Sequence, residues 1–109
     1  MVSSIKIWLD DERPAPCGWL HCWSVDNARQ MIQLAEETSR YTGNEIRIEM
    51  ISLDHDLGCF ASSGGDGIKL MDWLVERGTL YPVRFHTMNP VGRQNMERMY
   101  RRYWLGQSL

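Results

Sequence analysis

The chain has 109 residues, of which 43% are hydrophobic and 24% are charged, so we expect a single domain over residues 1–109. A formal net charge of -2 excludes a global electrostatic attraction to nucleic acid or to an anionic membrane. No apolar run approaches the roughly 18 residues that span a bilayer, and the first residues lack a signal peptide's layout, which predicts a cytoplasmic protein without a membrane partner.

The first half of the chain predicts two strands and a helix. Residues 5–9 are strand formers, and this strand ends at the acidic segment 10–14, because the proline there cannot continue a ladder. Residues 19–23 predict a second strand, and Ser24 is the expected N-cap of a helix over residues 25–38. The apolar residues of this helix recur at helical spacing: Ala28, Met31, Ile32 and Ala35.

The three cysteines favour reduced thiols over a disulfide framework. Cys17, Cys22 and Cys59 cannot all pair within one chain, and no C-x-x-C motif is present. Cys17 and Cys22 resemble half of a zinc site, but a second pair of ligands is missing. The simpler interpretation is that they are small buried residues that flank a strand.

The middle of the chain predicts a strand, a loop and a helix. Residues 45–53 form the third strand, and their apolar residues become nearly continuous toward its end. The glycine- and serine-rich segment 58–67 is an expected loop, which serves either as a mobile lid or as a simple connection. Asp66 is the expected N-cap of a helix that begins at Ile68 and is closed by Gly78.

The last part of the chain predicts a strand and a basic helix. Residues 83–87 form the fourth strand, and Asn89 and Pro90 are an N-cap and a first helical residue. The expected inward stripe of this helix is Met96, Met99, Tyr100 and Tyr103. Its arginines permit contact with RNA, although a solvated helix face is the simpler interpretation: Arg93, Arg98, Arg101 and Arg102.

Strands that alternate with helices predict parallel pairing through right-handed crossovers. The expected fold is a small three-layer α/β sandwich around a mostly parallel sheet of about four strands. Ligands bind beyond the carboxyl ends of such strands, so polar residues that follow the strands should gather at one edge. These residues are Asp10, Asp11, Asp54, His55, Asp56, His86 and Thr87.

The gathered carboxylates predict a cation site. Neighbouring carboxylates repel one another unless a cation or a proton neutralises them. Oxygen ligands from Asp10, Asp11 and either Asp54 or Asp56 suit Mg²⁺ or Mn²⁺. The alternative for each single residue is a turn or helix cap, and Asp11 could pair with Arg13.

The histidines differ in their surroundings. His21 lies on an apolar strand and is expected to have a structural role. His86 and His55 each follow an apolar strand beside the acids, where an imidazole can transfer protons or bind a metal. We favour His86 over His55 for this chemistry, with a structural role as the alternative.

Three segments, taken together, resemble the cyclic-phosphate processing receiver-like domain family. They are Trp8–Pro16 with Gly18-Trp19, Ser52–Gly58, and His86–Pro90 with Gly92 and Asn95-Met96. Their motifs, LDDxRPxPxGW, SLDHDLG and HxxNPxGxxNM, occur in this order and span nearly the whole chain.

The resemblance implies a compact relative of the response-regulator receiver, a flavodoxin-like fold. In receivers an acidic pair after the first strand binds Mg²⁺, an Asp after the third strand accepts a phosphoryl group, and a Ser or Thr ends the next strand. Asp10-Asp11, Asp54 and Thr87 match these positions in kind. The segment after the first strand is too short for the receiver's first helix, and no later strand with the receiver's lysine is evident, which argues against phosphoryl signalling.

The resemblance further implies a metal-dependent phosphoesterase that acts on the cyclic phosphate of a nucleotide, a nucleotide derivative or an RNA end. A non-catalytic module that binds a cyclic nucleotide, or a receiver-like phosphoacceptor, is the alternative. The expected site residues fall into three groups: Asp10, Asp11 and Asp54 for Mg²⁺ or Mn²⁺; Arg13, Thr87 and Asn89 for the substrate phosphate; and His86, His55 and Asp56 for proton transfer and for orienting water.

Overall fold

The computed structural model describes residues 2–106 of the protein. Met1 and residues 107–109 of the predicted domain lie outside this range. The elements in chain order are β1 (Val2–Leu9), β2 (Leu20–Cys22), α1 (Val25–Thr42), β3 (Glu45–Leu53), a 3₁₀ turn (Gly58–Ser62), α2 (Ile68–Arg77), β4 (Val83–Phe85), α3 (Pro90–Met99) and a π-helical turn (Tyr100–Trp104).

The four strands form one parallel sheet in the order β2-β1-β3-β4. Helix α1 connects the edge strand β2 to β3, and α2 connects β3 to its neighbour β4. The predicted α/β receiver-like fold with a four-stranded parallel sheet is therefore confirmed. None of the helices within residues 2–106 is long and apolar enough to cross a bilayer.

Strand β3 changes phase halfway along its length. Ile5 of β1 is opposite Ile48, but the next residue, Lys6, is opposite Met50, so Glu49 is an extra residue in β3. This bulge allows even-numbered residues before it and odd-numbered residues after it to point to the same face. The shared face carries Ile46, Ile48, Ile51 and Leu53.

All three helices pack on this one face of the sheet. Their buried side chains belong to a single hydrophobic cluster with the strand residues Ile7, Leu9, Ile51, Leu53 and Val83. The helix residues of the cluster are Val25, Ala28, Ile32, Ala35, Leu70, Met71, Leu74 and Met96. Burial of these apolar groups is the main term that stabilises the fold.

The opposite face of the sheet is covered by a loop. Trp8, Ser52 and Arg84 occupy one cross-strand row on this face, and Trp8 lies outside the hydrophobic cluster. Trp19 packs edge-on against Trp8 at 5.9 Å, and the Arg84 guanidinium and the Lys6 ammonium lie 4.6 and 5.1 Å from the Trp19 ring. Within the described chain, the third layer of the sandwich is thus the segment 10–19 rather than helices.

The caps of α1 and α3 agree with the prediction, whereas that of α2 does not. The Ser24 and Asn89 side chains accept hydrogen bonds from the backbone N–H of Asn27 and Gly92. The prediction that Asp66 caps α2 is wrong, because the N-cap of this helix is Gly67, which has no side chain to make a capping hydrogen bond. The Asp66 carboxylate instead accepts the backbone N–H of Leu57 at 3.2 Å.

Several other boundaries differ from the prediction: β1 begins at Val2 rather than at residue 5, and β2 covers only Leu20–Cys22. Helix α1 extends to Thr42, where Gly43 ends it with a φ of 75°. Strand β4 stops at Phe85, opposite the last residue of β3, so His86 and Thr87 follow the strand. The π-helical turn rotates the end of the last helix, so Tyr103 is exposed and Trp104 packs on the core instead.

Candidate functional site

Polar side chains from three strand ends meet at the carboxyl edge of the sheet. Asp10 follows β1, Asp54 follows β3, and His86 and Thr87 follow β4. Backbone hydrogen bonds hold these ends in register: Asp54 donates to Leu9, and His86 donates to Leu53. An open cleft beside them is lined by Asp11, Glu12, Arg13, Asp54, Asp56, Gly58, Thr87, Met88 and Asn89.

Asp10 is buried, with 1% of its surface exposed. Its Oδ1 accepts the backbone N–H groups of Glu12 and Arg13 at 2.8 and 2.9 Å, and its Oδ2 lies 3.0 Å from Nε2 of His86. Burial alone would raise the pKa of Asp10, but these donors outweigh it and hold the pKa below its usual value. Asp10 is therefore a fixed, ionised carboxylate.

Both ring nitrogens of His86 already have partners. Nδ1 lies 2.7 Å from the hydroxyl oxygen of Ser52, and Nε2 faces Asp10. The imidazole stacks on the indole of Trp8 with ring centres 3.8 Å apart and planes 7° apart. Burial lowers the pKa of His86 and the Asp10 carboxylate opposes this shift, so the net direction is downward. His86 is thus held as a neutral imidazole.

Asp54 sits where a carboxylate is costly. Burial raises its pKa, the charge of Asp10 adds to this, and hydrogen bonding from Thr87 only partly compensates. Ligand atoms of Asp10, Asp54 and His86 all lie within 4.8 Å of one another, close enough to bind one cation. Of the predicted metal ligands, the structure brings Asp10 and Asp54 together with His86.

Asp11 lies at the wall of the cleft. It is outside the group formed by Asp10, Asp54 and His86, but its carboxylate packs against Gly58. A Cβ atom on Gly58 would lie 2.6 Å from Oδ2 of Asp11, and Gly58 has a φ of 53°. Only glycine satisfies both conditions without strain, so Gly58 makes room for this carboxylate.

A second cluster surrounds Asp56 at the start of α3. His55 Nδ1 lies 2.8 Å from Oδ1 of Asp56, and the Asn89 amide donates to both Asp56 oxygens at 3.1 and 3.2 Å. The His55 hydrogen bond is the main cause that lowers the pKa of Asp56. The His55 ring lies on Gly92, where a Cβ atom would come within 2.4 Å of it. The structure thus brings His55, Asp56 and Asn89 together.

The remaining predicted phosphate contacts line the same cleft. The Arg13 guanidinium donates to the carbonyl of His86 at 3.1 Å, and its Nε is 3.9 Å from Asp10 rather than paired with Asp11. Thr87 is buried, and its hydroxyl accepts the backbone N–H of Asn89. The cleft therefore joins a cationic side chain and a helix N-terminus to a buried carboxylate pair.

His21 and the cysteines stand apart from this chemistry. The Nε2 of His21 lies 2.7 Å from the carbonyl oxygen of Asp10, and its ring stacks on Trp23. This is the structural role that we expected. Cys22 is buried, Cys17 and Cys59 are exposed, and among the described residues neither Cys17 nor Cys22 joins a group that could hold a metal.

Sequence reasoning missed four residues that shape the site. Ser52 and Trp8 hold His86. In the sequence they could have been found as a polar residue and an aromatic residue, respectively, near the ends of apolar strands that are followed by acids. Gly92 supports the His55 ring. Gly67 lies against the backbone of Asp54, where a Cβ atom would be 1.9 Å from the carbonyl oxygen. Gly92 stands in the third motif and Gly67 in the predicted loop 58–67, but their contacts depend on tertiary structure.

The parallel sheet and the acidic cleft at its carboxyl edge define a receiver-like domain. The chain belongs to the cyclic-phosphate processing receiver domain family, whose model matches residues 5–102. This match confirms the resemblance seen in the three motifs. No curated protein and no solved structure shows significant similarity to the chain.

Proposed function

We propose that the protein is a metal-dependent phosphoesterase that opens the cyclic phosphate of a nucleotide, a nucleotide derivative or an RNA end. The main support is the placement of two buried carboxylates, Asp10 and Asp54, beside a cleft with an arginine and a helix N-terminus. The family's name concerns the same class of substrate. The three free cysteines agree with a cytoplasmic location.

The donor atoms fit a hard divalent cation. Asp10 and Asp54 supply oxygen ligands, and Asp11 adds a carboxylate at the wall. Burial, and to a lesser degree the charge of Asp10, raise the pKa of Asp54, so a bound cation would favour its ionised form. Mg²⁺ or Mn²⁺, when bound, would neutralise these carboxylates and polarise a phosphate oxygen. We assign Asp10 and Asp54 as the principal ligands.

The other side of the cleft suits the phosphate group. The Arg13 side chain, 45% exposed, has a fork of donors of which one is used by the His86 carbonyl. The N-terminus of α3, capped by Asn89, adds the positive end of the helix dipole, and Thr87 lines the cleft with its hydroxyl bonded to Asp54. These groups would hold the phosphate oxygens while charge develops on them.

Ring opening adds one water molecule. A bond forms between the water oxygen and phosphorus, and one P–O bond of the ring breaks. Asp56, held by His55 and Asn89, would orient this water, and Nε2 of His55, which has no hydrogen-bond partner among the described residues, would take its proton. The released oxygen takes a proton from solvent. His86, engaged on both sides, would act through Asp10.

The test is to incubate the purified protein with cyclic-phosphate compounds, with and without Mg²⁺ or Mn²⁺, and to follow products by mass spectrometry. The panel contains nucleoside 2′,3′-cyclic phosphates, ADP-ribose cyclic phosphate, cyclic oligonucleotides and RNA with a cyclic phosphate end. We expect metal-dependent ring opening of one class, which is lost in Asp10→Asn and kept in the control Asp72→Asn on α2. A compound that binds but stays intact would make the protein a binding module instead.

A further inference from the structure

Ser52 is a polar residue in the centre of the sheet that the proposed reaction does not use. It is fully buried in β3, on the face that the helices do not cover. Its hydroxyl oxygen lies 2.7 Å from Nδ1 of His86 and 3.2 Å from Nε of Arg84. A buried hydroxyl with two such partners is a specific arrangement rather than a surface contact.

The donors in this chain fix where each hydrogen lies. Arg84 Nε can only donate, so the Ser52 oxygen accepts from it through one lone pair. The Asp10 carboxylate can only accept, so Nε2 of the neutral His86 ring carries the hydrogen and donates to Oδ2 of Asp10 at 3.0 Å. Nδ1 is then an acceptor, and the single hydrogen of the Ser52 hydroxyl completes the bond to it, so Asp10 and Ser52 favour the same tautomer of His86.

This hydrogen-bond chain also determines which lone pairs of the Asp10 carboxylate stay free. A carboxylate has about four lone-pair positions, and the Oδ1 atom of Asp10 already accepts two backbone N–H groups. Oδ2 accepts one hydrogen bond from His86, so one position on Oδ2 stays free. The carboxylate is thereby held as a ligand through a single oxygen, and ligand atoms of Asp10 and Asp54 lie within 4.8 Å of each other.

Aromatic contacts hold both ends of the hydrogen-bond chain between Arg84 and Asp10. Trp8 stacks on His86, and its Nε1 donates to the carbonyl of Arg13 at 3.1 Å, which prevents the imidazole from turning over. Trp19 lies under the Arg84 guanidinium. The arrangement thus extends from the loop-covered face of the sheet to the cleft.

We propose that Ser52 is a positioning residue that, through its hydrogen bond to Nδ1 of His86, fixes the Asp10 carboxylate for cation binding. The part of this inference that concerns the cation rests on the proposed function, whereas the hydrogen bonds of His86 and the carboxylate orientation are properties of the metal-free protein. Hydrogen bonds that orient metal ligands typically change metal affinity by about 10–100-fold when removed. Ser52→Ala should therefore weaken Mn²⁺ binding by roughly tenfold.

Two measurements test this inference. Long-range ¹H–¹⁵N correlation of the His86 ring, in metal-free protein at one fixed pH, should show the Nε2–H tautomer in the wild type and in Ser52→Ala, with the Nδ1 resonance shifted in Ser52→Ala because this nitrogen loses its hydrogen-bond donor. Calorimetric titration with Mn²⁺ should show the loss of affinity in the same variant. Ser4→Ala on β1, where the serine is exposed, is the matched control and should change neither.

The outcomes separate the inference from the function. An unchanged His86 Nδ1 resonance together with Mn²⁺ affinity within twofold of the wild type would overturn the role of Ser52. A wild type that binds no Mn²⁺, with the expected Nδ1 shift in Ser52→Ala, would overturn the metal dependence instead. If Ser52→Ala fails to fold, Arg84→Met, at an exposed position, removes the donor that orients the Ser52 hydroxyl and should shift the Nδ1 resonance in the same direction.

Discussion

Replacing Gly67 with alanine should damage the fold at the point where the cleft is built. An alanine Cβ would lie 1.9 Å from the carbonyl oxygen of Asp54 and 3.4 Å from Cα of His55. Gly67 has a helical φ of -53°, so the cost is steric and not conformational. The backbone must separate by more than an ångström, which breaks the bond from Gly67 N–H to the His55 carbonyl at 2.8 Å.

Two contributions set the size of this effect. Overpacking a close contact costs about 1–3 kcal/mol, and loss of the backbone hydrogen bond costs about 1 kcal/mol more. We therefore expect the free energy of unfolding to fall by about 2–4 kcal/mol. For a domain of this size each kcal/mol lowers Tm by roughly 4 °C, so Tm should fall by about 8–16 °C.

Urea unfolding followed by tryptophan fluorescence measures this loss. Gly18→Ala is the matched control, because Gly18 has a φ of 88° but no atom within 4 Å of an added Cβ. It should cost only the conformational strain, about 1–2 kcal/mol. If Gly67→Ala is no less stable than Gly18→Ala, the close approach of α2 to the end of β3 is not a constraint on the fold.

Three further results follow from the structure. Burial raises the pKa of Asp54, so its charge opposes folding once the pH exceeds the ordinary value of 3.8, and Asp54→Asn should be inactive but more stable than the wild type at neutral pH and equally stable in acid. Lower stability of this variant at neutral pH would contradict the reasoning. Asn89→Ala should lose about 1 kcal/mol in urea unfolding with the α3 cap. Asn89→Ser should keep the cap and lose activity, because Asp56 loses its amide donor; equal stability of the two variants would contradict the cap. Iodoacetamide should label Cys17 and Cys59 in the native protein, whereas Cys22 should react only after unfolding, because it is buried and burial raises its pKa to about 11. Three labels by mass spectrometry under native conditions would contradict the burial of Cys22.

The strand ends could be predicted because local rules determine them. Parallel strands place their carboxyl ends at one edge, so Asp10, Asp54 and His86 had to meet once β1, β3 and β4 were identified. The caps Ser24 and Asn89 depend only on residues within the next turn of helix. The cap prediction at Asp66 failed because a tertiary contact, the backbone N–H of Leu57, competes for the same carboxylate.

The hydrogen-bond chain to Asp10 could not be predicted because it depends on register. Trp8, Ser52 and Arg84 are far apart in sequence and form one row only when β1, β3 and β4 pair as they do. The bulge at Glu49 decides that Ser52 points to the face that lacks helices. A shift of one residue in β3 would turn Ser52 into the hydrophobic cluster and remove the partner of His86.

Asp10 has two roles that a mutation must separate. Its Oδ1 accepts the backbone N–H groups of Glu12 and Arg13, which turns the chain at the start of the loop that covers one face of the sheet. Its Oδ2 faces His86, and ligand atoms of Asp10 and Asp54 lie within 4.8 Å of each other. Alanine at this position would remove both roles together with the turn, so a loss of activity would not report on the cation alone. Asparagine keeps an oxygen for the turn and faces His86 with its amide, so Asp10→Asn removes the carboxylate and its hydrogen bond from His86 while the turn is kept.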